Sequence, residues 1–361
     1  MNFDTAIIET ILENARWAPS GDNMQQWRFE LINSNHFVIH GHDTRDHCVY
    51  DLQGYASQLA IGALLESISI AATSANCIAE FKLRDNMPET KPTIDVLLIQ
   101  DDSIELDPLF KFLPQRSVQR RMLKTNPLTV EQKNTLELSV GEYYTVQWIE
   151  GWANRLKAAG LMFNNGKLRL SLPEAFATHS TIIEWNARFS EDKIPDQAVG
   201  LDPIATRMMR WALKSWQYVR ILNAYFAGTL LPRIELDFLP SLFCGAHFAL
   251  VAKQTPNTIQ DNLNAGRAIQ RFWLSAAQLG LQLQPEMTPL IFSKYLKNGV
   301  KFTQVESLTV FADRLAEKFT TLVPNNQVEN LVFIGRIGFG NPAFSRSLRL
   351  PVKKLLIIRQ D

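Results

Sequence analysis

The chain has 361 residues, of which 46% are hydrophobic and 20% charged, an ordinary balance for a globular protein with enough apolar material for two similar halves. Its formal net charge of +1 gives no global field that would favour nucleic acid or an anionic membrane as a partner. The three cysteines are isolated from one another, which argues against a disulfide framework. The first helix has no basic segment before it, which argues against a secretory signal. No uncharged apolar run approaches the ~20 residues that a membrane span requires. We therefore expect a cytoplasmic protein without a membrane partner.

The first elements follow from hydrophobic spacing and from residues that break helices. Residues 4–18 place apolar side chains at helical intervals, and Pro19 ends that helix. Residues 27–39 predict a hairpin around 33–35, residues 57–75 a helix, and residues 94–99 a buried strand. The Pro- and Arg-containing stretch 101–128 is a connection that leads to Thr129, which predicts a helix N-cap.

The second part of the chain repeats this order. We predict a strand over 248–252, a helix over 263–281, a Pro-containing loop over 285–289, and strands at 332–334 and 355–358. Residues 61–76 align without a gap with 265–280, which places Gly62 on Gly266. The alignment favours internal duplication, although two amphipathic helices that each contain a glycine could align equally well.

These patterns divide the chain into four parts. Residues 1–110 form a first half, 111–148 a connection and helix, 149–232 a helical insertion or lid, and 233–361 a second half with a basic C-terminal extension. The stretch 208–220 inside the insertion has one apolar face and one basic face. Such a helix binds a membrane surface or packs as a lid, and we favour packing.

A polar turn follows the first helix. The turn after Pro19 presents Ser20, Asn23 and Gln25, which can bind the polar edge of a heteroaromatic ring, although an ordinary turn after a helix has the same composition.

Two basic segments, 115–121 and 336–354, suggest a phosphate site. Arg116 and Ser117 combine a charge with a directed hydrogen bond, and Arg346 and Arg349 add charge; the alternative is solvated surface. The glycines of 336–354 do not form a dinucleotide-binding fingerprint, because prolines prevent a following helix. Four histidines between 36 and 47 are interpreted as surface residues, so we predict no metal site.

Together these segments resemble the FMN-dependent nitroreductase superfamily. Its A-x-x-A-P-S-x-x-N-x-Q-P-W motif is present with Gln26 in place of the second proline, and its R-L-P and A-G-x-A-x-Q helix motifs are present at 349–351 and 265–281. Its R-R-S-x-R phosphate motif is matched only at the R-S of 116–117, because Gln115 and Gln119 stand where basic residues are common. The R-S motif follows the A-P-S turn by about ninety residues, whereas it precedes it in the common branch. That order and the repeated helix resemble an internally duplicated branch in which one chain imitates the family dimer.

The resemblance implies an α+β fold, a mixed or antiparallel sheet wrapped by helices, with two similar halves forming a pseudo-dimer. It implies FMN between the halves, with Ser20, Asn23 and Gln25 at the ring edge and with Arg116, Ser117, Arg346 and Arg349 at the phosphate. The loop at Met287 and Thr288 would place backbone N–H groups near the reactive ring nitrogen. No catalytic side chain is required, because the flavin carries the chemistry.

Two functions follow from this resemblance. The first is ping-pong reduction, in which NAD(P)H reduces FMN and a nitroaromatic, quinone or related small-molecule electron acceptor then oxidises it. The second is flavin storage or sensing, with Trp211 and Trp216 of the 149–232 segment on the apolar face of a lid over FMN. The protein would be a monomeric pseudo-dimer or a homodimer.

Overall fold

The computed structural model of the chain describes residues 5–225, 228–323 and 328–357. The first half contains α1 (Ala6–Ala15), β1 (Trp27–Leu31), β2 (His36–Gly41), α2 (Tyr55–Ala72), β3 (Cys77–Leu83) and β4 (Thr93–Gln100). Its strands form one antiparallel sheet in the order β1-β2-β4-β3. The predicted hairpin and the strand predicted over 94–99 are therefore confirmed. This strand is not buried on both faces as predicted, because Leu97 and Ile99 are exposed, and the first helix is shorter than expected.

A connection leads to α3 (Val130–Ser139) and β5 (Tyr144–Ile149). Thr129 caps α3 as predicted, because its side chain accepts the N–H of Gln132 in a capping box. The next segment is mostly helical and contains three two-residue strands: α4 (Trp152–Ser171), α5 (Pro173–Ile182), β6 (Ile183–Glu184), β7 (Phe189–Ser190), β8 (Ile194–Pro195), α6 (Pro203–Ala212), α7 (Trp216–Tyr225), α8 (Leu230–Pro232) and, after a π-helical turn, α9 (Leu239–Leu242).

The remaining elements complete the second sheet: β9 (Ala246–Ala252), α10 (Ile259–Gln278), β10 (Leu281–Pro285), α11 (Thr288–Lys297), α12 (Glu306–Leu322), β11 (Leu331–Phe339), β12 (Arg346–Ser347) and α13 (Val352–Leu355). This sheet is antiparallel with the order β10-β11-β9-β5. The predicted α+β fold of antiparallel sheets with packed helices is confirmed.

The two sheets have the same topology. In each half a helix precedes two strands, a long helix follows the second strand, and the fourth strand lies between the second and the third. The second half differs by two insertions, α4–α9 between β5 and β9, and α11–α12 between β10 and β11. The halves are thus similar in path, while their origin by duplication stays a prediction.

The long helices α2 and α10 lie at the junction of the halves. Most of α2 is buried, and Leu263 and Leu274 of α10 join the core of the first half. By length and composition the helical segment Tyr55–Ala75 could cross a membrane, although it contains the charged residue Glu66. Of its most apolar window 83% is buried, as in the core helix of a folded domain.

The C-terminal arm, which is the stretch 340–357 after β11, differs from the prediction. Residues 352–355 form α13 rather than a strand, and beyond it Leu356 makes one bridge to Phe29 of β1; residue 358 lies outside the described residues. The helix predicted over 208–220 is interrupted, because α6 ends at Ala212 and α7 begins at Trp216. Arg16 donates to the carbonyl of Arg349 at 3.0 Å, so the arm of the second half is fastened to the first half.

Candidate functional site

A cavity of about 270 Å³ lies between the two halves. Its wall combines the turn after α1 and one face of α2 with α10, β10, the start of α11 and the C-terminal arm. The connection before α3 and one residue of the insertion complete it. The lining residues are Pro19, Ser20, Gly21, Asp22, Asn23, Ala56, Leu59, Ala60, Ala63, Arg116, Ser117, Val118, Arg120, Ile194, Ile269, Trp273, Gln284, Pro285, Met287, Ile291, Phe333, Ser345, Arg346, Ser347 and Arg349.

Most of the residues predicted to bind a cofactor line this one cavity. They come from four distant stretches of the sequence: Ser20, Asn23, Arg116, Ser117, Met287, Arg346 and Arg349. Gln25 and Thr288 do not line it. The fold therefore brings together the polar turn and both basic segments.

The turn after Pro19 has an unusual backbone. Asp22, Asn23 and Gln25 have φ values of 51°, 64° and 49°, in the left-handed region that residues other than glycine rarely adopt. The Ser20 hydroxyl accepts the N–H of Gln25 at 3.1 Å and closes the turn. Such strain persists only where the surroundings impose it, and it is typical of ligand sites.

The side chain of Asn23 is hydrogen-bonded to the insertion through its nitrogen, and its oxygen has no partner among the described residues. Its Nδ2 donates to the carbonyls of Glu191 and Lys193 at 3.1 and 3.2 Å. Its buried Oδ1 has no hydrogen-bond partner among the described residues. Because two carbonyls fix the amide nitrogen, the unfilled atom is the oxygen, a hydrogen-bond acceptor at the cavity wall.

Gln25 has a different position from the one expected for a ring contact. The side chain is fully buried and donates to the carbonyls of Asn23 and Glu191, at 3.1 and 2.9 Å. Its Oε1 accepts the N–H of Leu350 at 2.9 Å. Gln25 thus links the turn to the insertion and to the C-terminal arm.

Arg116, Arg346 and Arg349, three of the four arginines that line the cavity, give it a concentrated positive charge. Arg116 donates to the carbonyl of Trp17 at 2.9 Å, and its guanidinium lies 4.5 Å from the ring centre of Trp273. Arg349 donates to the carbonyls of Ala18 and Leu348 at 2.9 and 2.6 Å.

Within the described chain, none of Arg116, Arg346 and Arg349 forms an ion pair with a carboxylate, and the Nε atoms of Arg116 and Arg346 are buried without a partner. Burial, together with the charges of Arg346 and Arg16, lowers the pKa of Arg349 to about 9; burial also lowers the pKa of Arg116 and of Arg346. Buried cations without counterions favour an anionic ligand.

The start of α11 faces the same cavity. Met287 lies just before its first residue, and no side-chain hydrogen bond caps this ten-residue helix. The first N–H groups of a helix have no intrahelical acceptor and mark its positive end. Thr288 begins the helix without lining the cavity, so Met287 and Ile291 form this part of the wall.

Directly before Met287, a buried charge network fixes the loop. Glu286 accepts from Arg336 at 2.9 Å and from the Ser241 hydroxyl at 2.8 Å, and it contacts the His247 Nδ1 at 2.7 Å. Burial alone would raise the pKa of Glu286, but His247 and Arg336 outweigh it and lower the pKa to about 2. The carboxylate is therefore neutralised within the protein.

Sequence reasoning missed several lining residues. Burial raises the pKa of the Asp22 carboxyl, and burial lowers the pKa of Arg120 to about 10 despite the opposing charge of Asp22. Trp273 lies against Arg116, and Phe333 and Gln284 complete the wall. Arg120 falls within the basic segment 115–121, and Trp273 within the helix that resembles the family motif, so their segments were recognised but their side chains were not.

The aromatic residues expected on a lid lie elsewhere. Trp216 packs against Phe176 with ring centres 5.6 Å apart and lines a separate apolar cavity inside the insertion. Trp211 stacks on Tyr218 at 4.5 Å and is 44% exposed. From the insertion, Ile194 lines the cavity between the halves.

Metal ligation finds no support in the part of the chain that the structure describes. No group of three or more His, Cys, Asp or Glu residues there is placed to hold an ion. His36 contacts Asp95 at 2.9 Å and His40 contacts Glu30 at 2.8 Å on the first sheet. The three cysteines are free and buried.

Comparison with known proteins identifies the N-terminal part of the chain. Residues 3–63 match the family model described as "Nitroreductase family". The match includes the strained turn with Ser20 and Asn23 and reaches into α2. The predicted resemblance to the nitroreductase superfamily is thus confirmed over residues 3–63, and the internally duplicated branch stays a prediction.

Among solved structures, the chain is similar to a nitroreductase-like family protein from Bacillus cereus, with 12% identity over 71% of this chain and 97% of that one, and a TM-score of 0.35. It is also similar to the FMN-dependent nitroreductase NfnB from Mycobacterium smegmatis in complex with NADPH, with 15% identity over 69% and 97% of the two chains and a TM-score of 0.36. Superpositions at these scores carry no argument about the site. No curated protein matches the chain.

Proposed function

We propose that the cavity between the halves binds FMN and that the protein is an NAD(P)H-dependent flavin oxidoreductase. The observation that carries this proposal is the set of three buried or half-buried arginines without carboxylate partners in the described chain, beside a strained polar turn with an unfilled acceptor. A phosphate would compensate the cations, and a heteroaromatic N–H would fill the acceptor. FMN carries both groups on one molecule.

The lining residues divide between the two ends of such a ligand. Arg116, Ser117, Arg346 and Arg349 would hold the phosphate, and Ser20 and Asn23 would meet the polar edge of the ring. The positive end of α11, at Met287, would stabilise negative charge on the ring. Gln25 supports this arrangement by positioning the turn rather than by contacting the ligand.

When bound, FMN would accept a hydride from NAD(P)H and pass the electrons to a small acceptor. Nitroaromatics and quinones are the class that we propose, on the strength of the family match at the N-terminal part. The residues of the chain bind, orient and supply charge. No acid, base or nucleophile is assigned among them, because the cofactor supplies the chemistry.

The second candidate, flavin storage beneath a lid, has less support. Its two tryptophans do not line the cavity, and the insertion contributes Ile194 together with backbone carbonyls that hold Asn23. Because neither Trp211 nor Trp216 would cover a ring in this cavity, their positions favour the reductase. We also propose that one chain forms the complete site and that buried free thiols reflect a cytoplasmic location. In place of the predicted boundaries at 148 and 232, we propose that the second half begins with α3 and β5 and is interrupted by α4–α9, because β5 belongs to the second sheet.

One preparation tests these proposals. The protein is purified, its released cofactor is identified by mass, and NADPH and NADH are added anaerobically while the flavin absorption is followed. Bleaching of bound FMN supports the reductase. FMN that neither nucleotide reduces would leave the storage function, and recovery of FAD alone, or of no flavin after reconstitution, would contradict the assigned cavity.

A further inference from the structure

A second, larger cleft adjoins the cavity between the halves. Its volume is about 850 Å³, and it shares Val118, Arg120 and Ser345 with that cavity. The connection before α3, the segment around β8 and α6, and the C-terminal arm form its walls. We call it the arginine cleft after Arg120, Arg121, Arg207 and Arg210, all of which line it.

The charge of the cleft is not balanced by its own carboxylates. Among the described residues, none of the four arginines forms an ion pair with a carboxylate. The two acids that line the cleft are engaged by backbone N–H groups: Asp196 accepts those of Asn186 and Ala187, and Asp202 caps α6. Four cations therefore face two acids that are already hydrogen-bonded, which favours a ligand with more than one negative charge.

The cleft also contains an exposed aromatic ring. Phe344 is 73% exposed, and the guanidinium of Arg188 lies 3.4 Å from its ring centre. A large apolar side chain in this position is a platform on which a nucleobase can stack. Side-chain amides of Asn186, Gln197 and Asn341 line the cleft as well and can bind ribose hydroxyls or base edges.

We propose that the arginine cleft binds the 2′-phosphoadenosine end of NADPH, so that the protein takes NADPH in preference to NADH. This inference rests on the proposed reductase function. A ligand that spans both spaces must place a redox-active ring in the first cavity and a polyanionic nucleotide tail in the second. NADPH has this form, and its 2′-phosphate distinguishes it from NADH. Arg207 and Arg210, one helical turn apart on α6, are the residues assigned to that phosphate.

The test uses the full-length chain reconstituted with FMN and the double substitution R207A/R210A. Both side chains are exposed and lie outside the cavity between the halves, so folding and flavin content should be unchanged. Calorimetric titration with 2′,5′-ADP and with 5′-ADP measures the cleft without flavin chemistry. We expect 2′,5′-ADP to bind about tenfold tighter to the unaltered protein and the two nucleotides to bind alike to the double variant.

Steady-state kinetics provide the second readout. The double variant should raise KM for NADPH about tenfold at unchanged kcat, with the kinetics for NADH unaltered. Arg220→Ala on α7, an exposed arginine that does not line the cleft, is the matched control and should change neither.

Equal binding of the two nucleotides to the unaltered protein, or a preference retained by the double variant, overturns the proposal. Inorganic phosphate that competes as well as 2′,5′-ADP also overturns it. A preference for 2′,5′-ADP without reduction of FMN by either nucleotide would refute the reductase and leave the cleft in place. Reduction of FMN by both nucleotides without that preference would support the reductase and refute the assignment of the cleft.

Discussion

Gly62 of α2 and Gly266 of α10 meet where the two helices cross, so that a Cβ on either one would lie 2.9 Å from the Cα of the other. Each added Cβ would come closer still to a backbone carbonyl, that of Leu263 or of Leu59. Backbone cannot give way as a flexible side chain can. The pairing of these glycines in the ungapped sequence alignment thus corresponds to a close approach of the helices.

Gly62→Ala should therefore destabilise the protein by about 1–3 kcal/mol, through overpacking of this crossing. Flavin retention should fall with it, because Leu59 and Ala63 of the same helix line the cavity. Urea unfolding monitored by far-UV circular dichroism measures the first effect, and flavin fluorescence the second.

Gly160→Ala on α4 is the matched control. No atom lies within 4 Å of its added Cβ, so the substitution should raise stability by about 0.5–1 kcal/mol through helix propensity. If G62A is as stable as the unaltered protein, the helices can separate at little cost, and the close crossing described here is not essential.

Arg349→Ala should weaken FMN binding by about 1.5–3 kcal/mol, the range for a hydrogen bond to a charged group. Riboflavin, which lacks the phosphate, should lose much less affinity. Fluorescence titration with both ligands separates the roles, since Arg349 also donates to the carbonyl of Ala18. Arg84→Ala, which removes an exposed pair with Asp95 on the first sheet, should affect neither ligand. Equal losses for FMN and riboflavin would show that Arg349 only supports the backbone.

Much of the fold follows from local patterns. The periodicities of α1, α2 and α10, the hairpin turn at 33–35 and the Thr129 cap predicted elements that the structure contains. The strand predicted over 355–358 was right only in part, because Leu355 ends α13 whereas Leu356 bridges Phe29 of β1. Apolar residues alone fit a strand and a buried helical turn equally well. The break between α6 and α7 was missed because an amphipathic pattern continues across Leu213–Ser215.

Site residues could be predicted where the type of side chain decides what it binds. They could not be predicted where the orientation of the side chain in the folded protein decides it. Arg116, Arg346 and Arg349 were selected for their charge, and they line one cavity. Gln25 was selected from the same motif, but its amide is consumed by backbone groups of Glu191 and Leu350 that are more than 160 residues away in the sequence. Only tertiary structure reveals such partners.

Flavin should remain bound when the protein is diluted. Ser20 and Asn23 of the first half and Met287 and Trp273 of the second line the cavity within one chain, so no partner subunit is needed to complete it. Sedimentation at low micromolar concentration, with detection at the flavin absorption band, should show flavin on a monomer. Release of flavin in step with the dissociation of a dimer would instead indicate a site between subunits.

Glu286→Gln should destabilise the protein by about 3 kcal/mol at pH 7, because it removes the negative charge that compensates buried His247 and Arg336. Burial opposes the ionised carboxylate, yet these two partners lower the pKa of Glu286 to about 2, below its ordinary value of 4.5. A depressed pKa in the folded protein stabilises it fully above pH 4.5, and this contribution is lost as the pH falls from 4.5 towards 2.

The difference in unfolding free energy between the unaltered protein and E286Q should therefore shrink when urea unfolding is repeated at pH 4 and at pH 3. Glu191→Gln is the control, because its pair with Lys354 is exposed and should contribute less than about 0.5 kcal/mol at every pH. A difference that stays constant from pH 7 to pH 3 would mean that the charge of Glu286 does not stabilise the fold. In that case the cost of E286Q would come from the altered shape of the loop before Met287, and flavin retention would fall equally at all three pH values.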